Sequence, residues 1–91
     1  MNLMYPVLKK KYMSNLEKYK NAFINSLNID SSVFNEKLKY NEIPEWDSIG
    51  HMSLISALEE EFKITIETDD IVDLSSFKKG IEILKKYKIE V

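Results

Sequence analysis

Residues 45–62, EWDSIGHMSLISALEEEF, decide how the chain is built. Met52, Ile55, Leu58 and Phe62 recur at helical spacing, Leu54 widens the apolar stripe, and Glu59, Glu60 and Glu61 close the outer side. This pattern predicts a core-facing helix over about Ser48–Phe62. Asp47 and Ser48 stand at its start, and both are residue types preferred at helix N-caps, where a side-chain oxygen satisfies a backbone donor of the first turn. In a chain with one His and no Cys, Ser48 reads either as an ordinary cap or as the one reactive hydroxyl that matters. A phosphate carried there would be stabilised by free backbone N–H groups and by the positive end of the helix dipole.

Downstream, KITIE (63–67) alternates like a strand, but no second strand is available to pair with it. It reads as an extended connector that buries Ile64 and Ile66. Thr68 is expected to cap a short helical turn over Asp69–Asp73, with two acids where the helix dipole favours them. Ser75 or Ser76 caps a last helix in which Phe77, Ile81 and Leu84 repeat at i, i+4 and i+7, with Lys85, Lys86 and Lys88 at its C-terminal end.

Upstream, no period survives from Asn28 to Asp47, a long loop with one short turn around Val33–Leu38. Before it, Ser14-Asn15-Leu16-Glu17 has the form of a capping box, and Leu16, Tyr19, Phe23 and Leu27 follow at helical spacing, giving a helix over about Asn15–Leu27. Leu8 and Tyr12 continue the same stripe backward, so a start just after Pro6 fits as well, and the sequence leaves the two starts open. The expected fold is all-α: a small bundle of three main helices plus one short helix, with a long loop between the first and second main helices. Residues 1–13 form an N-terminal extension and residues 14–91 the domain. Phe23, Leu27, Leu54, Leu58, Phe62, Ile71, Phe77, Ile81 and Leu84 are the expected core.

Composition excludes several functions. Ninety-one residues, 44% of them hydrophobic, make one small domain. Thirteen Lys and no Arg face fifteen acids, a net charge of −2, which favours neither nucleic acid nor a polyanionic surface as partner. Without Cys there is no thiol catalysis, disulfide or thiolate metal site, in keeping with a reducing cytoplasm. No apolar run reaches the roughly 20 residues of a membrane span, and the first residues lack the order of a signal peptide. The chain reads as soluble and cytoplasmic. A metal site is not supported, because His51 stands alone and TDDIVD (68–73) lacks the Gly and terminal Glu of a calcium loop. Hydrolysis by Ser48 and His51 lacks a third group to orient the His, which reads as an exposed or rim residue. Charge is segregated: from Asn41 to Asp70 one Lys stands against nine acids, a net of −8, between two basic ends. Such a segment is either a solvated helix face or a field that steers a basic partner.

Asp47-Ser48-Ile49, Ala57-Leu58-Glu59-Glu60-Glu61-Phe62 closing the same helix, the ITI connector, the TDD turn and the LSSF start of the last helix together resemble the acyl carrier protein family, over roughly Ser14–Tyr87. The resemblance implies a carrier and not an enzyme. Ser48 would be the attachment point of 4′-phosphopantetheine, taken from coenzyme A by a phosphopantetheinyl transferase, with Asp47 meeting that enzyme's metal or basic groups and Ile49 beside the arm. The arm's terminal thiol would hold acyl or aminoacyl groups as thioesters. Acyl-loading and acyl-transferring enzymes would present basic patches to the acidic helix, making Ile49, Met52, Ser56, Glu59 and Glu60 the expected partner-facing positions of a monomer. Gly50 and Ser53 depart from the family's habit of acids soon after the Ser, so the front of the helix is nearly neutral. Trp46 and Gly50-His51-Met52 are similar to carriers of specialised pathways, such as glycan or secondary-metabolite assembly. The competing reading is a helical protein-interaction module of the same fold with no prosthetic group.

Overall fold

Four helices order residues 13–91, the part of the chain that the computed structural model describes: α1 (Asn15–Leu27), α2 (Ser48–Phe62), α3 (Thr68–Asp73) and α4 (Phe77–Lys86). These are the three main helices and the short one that periodicity predicts, and the described residues contain no strand. The alternative start after Pro6, with Leu8 and Tyr12, lies outside the described residues.

Each boundary has a local cause. At the start of α1 the Glu17 N–H donates to Ser14 Oγ at 3.1 Å and the Ser14 N–H donates to Glu17 Oε1 at 3.2 Å, the reciprocal box expected. The helix stops because Asn28 turns left-handed (φ 55°, ψ 48°), which lets the Ile29 N–H close on the Ile24 carbonyl at 3.1 Å. α2 stops likewise at Lys63 (φ 57°), where the Ile64 N–H reaches the Glu59 carbonyl. Ser76, of the two serines proposed, caps α4 by accepting the Lys79 N–H at 2.9 Å. Thr68 is not a cap: Glu67 holds the N-cap position of α3 without a side-chain hydrogen bond, and Thr68 is the first helical residue. Two acids in the first turn, Asp69 and Asp70, supply the electrostatic compensation instead.

The core is aromatic at its centre. Phe23 meets Tyr19, Trp46 and Phe77 with ring centroids 5.1, 5.1 and 5.2 Å apart, each pair near the edge-to-face arrangement that ring quadrupoles favour. The Tyr19 hydroxyl, buried with them, donates to the Phe77 carbonyl at 2.6 Å, and burial pushes its pKa far above the ordinary phenol value. Phe23, Leu27, Leu54, Leu58, Phe77 and Leu84 are buried as expected, whereas Phe62, Ile71 and Ile81 are half-buried and pack against the rim. In the connector Ile66 is buried and Ile64 half-buried.

The long loop and the approach to α4 add further positions to the core. Leu38, Trp46 and Leu74 are buried, the first two in a stretch with no hydrophobic period. What holds Leu38 there is one antiparallel bridge: the Phe77 N–H donates to the Leu38 carbonyl and the Tyr40 N–H to the Ser75 carbonyl, both at 2.9 Å. The loop is therefore stitched across the start of α4 and delivers Trp46 directly ahead of α2.

Candidate functional site

Trp46 fixes where α2 begins. Its indole N–H donates to His51 Nδ1 at 3.0 Å, which leaves His51 Nε2 to carry the proton it donates to the Ile71 carbonyl at 2.7 Å. One half-buried imidazole thus ties the end of the loop, the first turn of α2 and the middle of α3, with Tyr40 packed edge-on against its ring. His51 is thus the half-buried rim residue expected, and it carries a structural tie in addition. Sequence gave no signal for it, since its partners are a loop indole and a backbone carbonyl 20 positions away.

The cap of α2 is Asp47, not Ser48. Asp47 is extended (φ −104°, ψ −167°) and its Oδ1 accepts the Gly50 N–H at 2.8 Å. Ser48 is the first helical residue and is exposed. A residue can be cap or first turn but not both, so the reading of Ser48 as the helix cap is corrected. Gly50 explains the neutral front of the helix in steric terms. A methyl group on its Cα would overlap the Glu45 carbonyl oxygen and press on Leu27, so the loop can lie across the helix start only where no side chain projects.

Ser48 lies in a shallow, wide-open surface groove of about 830 Å3 between α1 and α2. Along α2 the groove takes in Ile49, Met52, Ser56 and Glu60, four of the positions singled out from sequence, together with Ser53 and Ala57. Its other wall, Asn25 and Ser26 on α1, was not legible beforehand because it depends on how two helices pack. Ser26 Oγ is buried and has no hydrogen-bond partner among the described residues. Ile49 and Met52 are 78% and 52% exposed, so Met52 leaves the core stripe on which spacing placed it. Val72 on α3, also 78% exposed, is a third exposed apolar side chain. Glu59 lies off the groove and has a structural duty, its Oε2 accepting the Ile66 N–H at 2.9 Å.

α3 is anchored from behind. Asp70, buried, accepts Lys86 Nζ at 2.6 Å and the Tyr87 hydroxyl at 2.7 Å, and that hydroxyl accepts the Glu67 N–H. The hydrogen bonds from Lys86 and Tyr87 hold the Asp70 carboxyl below the usual carboxylate range. No group of three His, Cys, Asp or Glu side chains among the described residues could hold a metal, and no described helix is long and apolar enough to cross a membrane.

An exposed serine hydroxyl at the first residue of a fifteen-residue helix, with a lined groove leading away from it, suits a flexible phosphate-linked arm: helix N–H groups for the phosphate, hydroxyls and apolar side chains for the rest. Among curated proteins, the chain is 31% identical over 78 residues to an acyl carrier protein of Solidesulfovibrio magneticus, a match covering 86% of this chain and all of that protein. No protein-family model matches the chain, and no solved structure matches it significantly.

Proposed function

The chain belongs to the acyl carrier protein family, a family of non-catalytic carriers, and on that footing we propose that it carries its cargo on a 4′-phosphopantetheine arm attached to Ser48. The observation that carries this reading is the separation of duties at the start of α2: Asp47 closes the helix, and the Ser48 hydroxyl stands exposed outside the cap. The arm comes from coenzyme A through a separate phosphopantetheinyl transferase. Its terminal thiol supplies the thioester chemistry that a Cys-free chain lacks.

This chain's residues bind and present. The first-turn N–H groups and the helix dipole stabilise the phosphate on Ser48. Asp47 spends Oδ1 on the cap, and its second carboxylate oxygen serves the basic or metal groups of the transferase. Ile49, Met52, Ser56 and Glu60 face the acyl-loading and acyl-transferring enzymes, and Glu59 contributes charge from its braced position. We place the carrier in the cytoplasm as a monomer.

The test is intact mass before and after incubation with coenzyme A and a broad-specificity phosphopantetheinyl transferase. The wild type gains one phosphopantetheine and Ser48→Ala gains nothing. A wild type that stays unmodified identifies instead an interaction module of carrier-like fold.

A further inference from the structure

Trp46 and Asp47, the two residues ahead of Ser48, are both held by His51. The His51 N–H donates to the Asp47 carbonyl at 2.8 Å, closing the first turn of α2. The His51 ring accepts the Trp46 indole N–H on Nδ1 at 3.0 Å. The two rings are inclined by only 16°, so the N–H can meet the nitrogen lone pair close to the plane of both.

Trp46 has no slack elsewhere. Its backbone N–H is spent on the Ile43 carbonyl at 3.1 Å, and its own carbonyl accepts the Asn41 N–H at 2.9 Å. Its ring is fully buried, edge-on to Phe23 and Tyr40 with centroids 5.1 and 6.1 Å away. A buried indole N–H has no water to turn to, so without an acceptor at position 51 the ring is driven to shift until its N–H finds one. Any such shift is passed along the chain to Asp47, whose carboxylate closes on the Gly50 N–H and so sets where the Ser48 hydroxyl stands. The Glu45 carbonyl packed against Gly50 leaves no space there to absorb the movement.

We propose that His51 is a positioning residue for the modification of Ser48, acting through Trp46 and Asp47 to hold the serine hydroxyl in the attitude that the transferase needs. The inference rests on the attachment proposed above. In that reaction the Ser48 oxygen bonds to the phosphorus nearer the pantetheine in coenzyme A. The P–O bond to the adenosine side breaks, adenosine 3′,5′-bisphosphate leaves, and the serine proton passes to a base of the transferase. Attack of this kind depends on alignment, and a misplacement of about 1 Å can cost on the order of 100-fold in rate. Ile49 and Met52, which are exposed, do not contact this tie, so docking of the transferase is left largely intact.

Two substitutions isolate the bond to Trp46. Asn and Leu have nearly the same shape, and both give up the His51 bond to the Ile71 carbonyl. They differ in that Asn offers Trp46 an oxygen acceptor close to where Nδ1 stood, whereas Leu offers none.

The experiment measures kcat and KM of a broad-specificity phosphopantetheinyl transferase acting on apo wild type, His51→Leu and His51→Asn, well below each melting midpoint. The indole N–H resonance of the chain's single Trp, and its hydrogen exchange, report the bond directly. His51→Leu is expected to expose the indole N–H to exchange and to lower kcat about tenfold or more, with KM within about twofold. His51→Asn is expected to keep the indole protected and to recover most of that kcat. A merely structural role predicts no such rescue, since Leu is the better helix former and the more apolar side chain. Equal losses of kcat in the two variants, an unchanged kcat in His51→Leu, a loss confined to KM, or an indole that exchanges freely in the wild type would each overturn the proposal while leaving Ser48 as the attachment point. Where His51→Leu does not fold, His51→Asn decides alone: a protected indole with kcat near that of the wild type upholds the proposal, and a protected indole with kcat about tenfold lower overturns it. A wild type that gains no mass overturns the attachment itself, and this inference with it.

Discussion

Asp47 and Ser48 adjoin in sequence but hold separate positions at the start of α2, and mutation should part them. Ser48→Ala should abolish modification and leave the urea midpoint nearly unchanged, because the cap hydrogen bond belongs to Asp47. Asp47→Ala should cost about 0.5–2 kcal/mol, the range for losing an N-cap side chain. Equal destabilisation by the two changes would show that Ser48 shares the cap after all. Trp46 offers a sharper contrast, being fully buried and bonded to His51, whereas Phe62, a helical core candidate from sequence, is half-buried. Trp46→Ala should cost roughly 3–5 kcal/mol by urea denaturation, the usual range for deleting a buried Trp, and Phe62→Ala clearly less. The reverse order would contradict the packing described here.

The helices themselves were readable because each carries its own period and its own punctuation. Ser14 with Glu17, Asp47 ahead of an apolar stripe, and Ser76 ahead of Phe77 are local signals, and local hydrogen bonds answer them. Leu38 and Trp46 were not readable, since their burial depends on a bridge to Ser75 and Phe77 that no short window of sequence contains. Nor were the α1 wall of the groove and the His51 tie, both products of packing between distant segments. For α3 the decisive contact is the buried Asp70 carboxylate on Lys86 and Tyr87. Its folded-state pKa is lowered, so its contribution is fully present above the unfolded carboxylate value near ~3.9 and is lost as pH falls through the lower folded value. The stability difference between wild type and Asp70→Asn, followed by thermal melts from pH 7 downward, should therefore hold steady to about pH 4 and shrink below it. A difference that vanished already near neutral pH would rule out this linkage.

For the whole molecule, charge and apolar surface divide the work of recognition. The segment from Asn41 to Asp70 has a net charge of −8, yet the part of α2 nearest Ser48 presents Ile49 and Met52 to solvent and carries no acid in its first turn. Long-range attraction to a basic enzyme surface should thus be modest and screened, since charges more than about 8–10 Å apart interact little at physiological salt. Titrations of the holo form with a cognate acyl-handling enzyme should lose more affinity in Ile49→Ala or Met52→Ala than in Glu60→Ala, and only modestly with added salt. An affinity that salt largely removes, with Glu60→Ala the most damaging change, would make recognition chiefly electrostatic.

The account of function depends on Ser48 being the attachment residue, and fragment-ion mass spectrometry of the transferase-treated protein reads that position directly. The chain offers other hydroxyls close by, with Ser26, Ser53 and Ser56 lining the same groove, so a bare gain in mass does not by itself locate the arm. The expected result is one phosphopantetheine on the peptide containing Asp47-Ser48-Ile49, with the fragment series placing it on Ser48. A modification found on Ser26, Ser53 or Ser56 instead, or one that persists in Ser48→Ala, would contradict it.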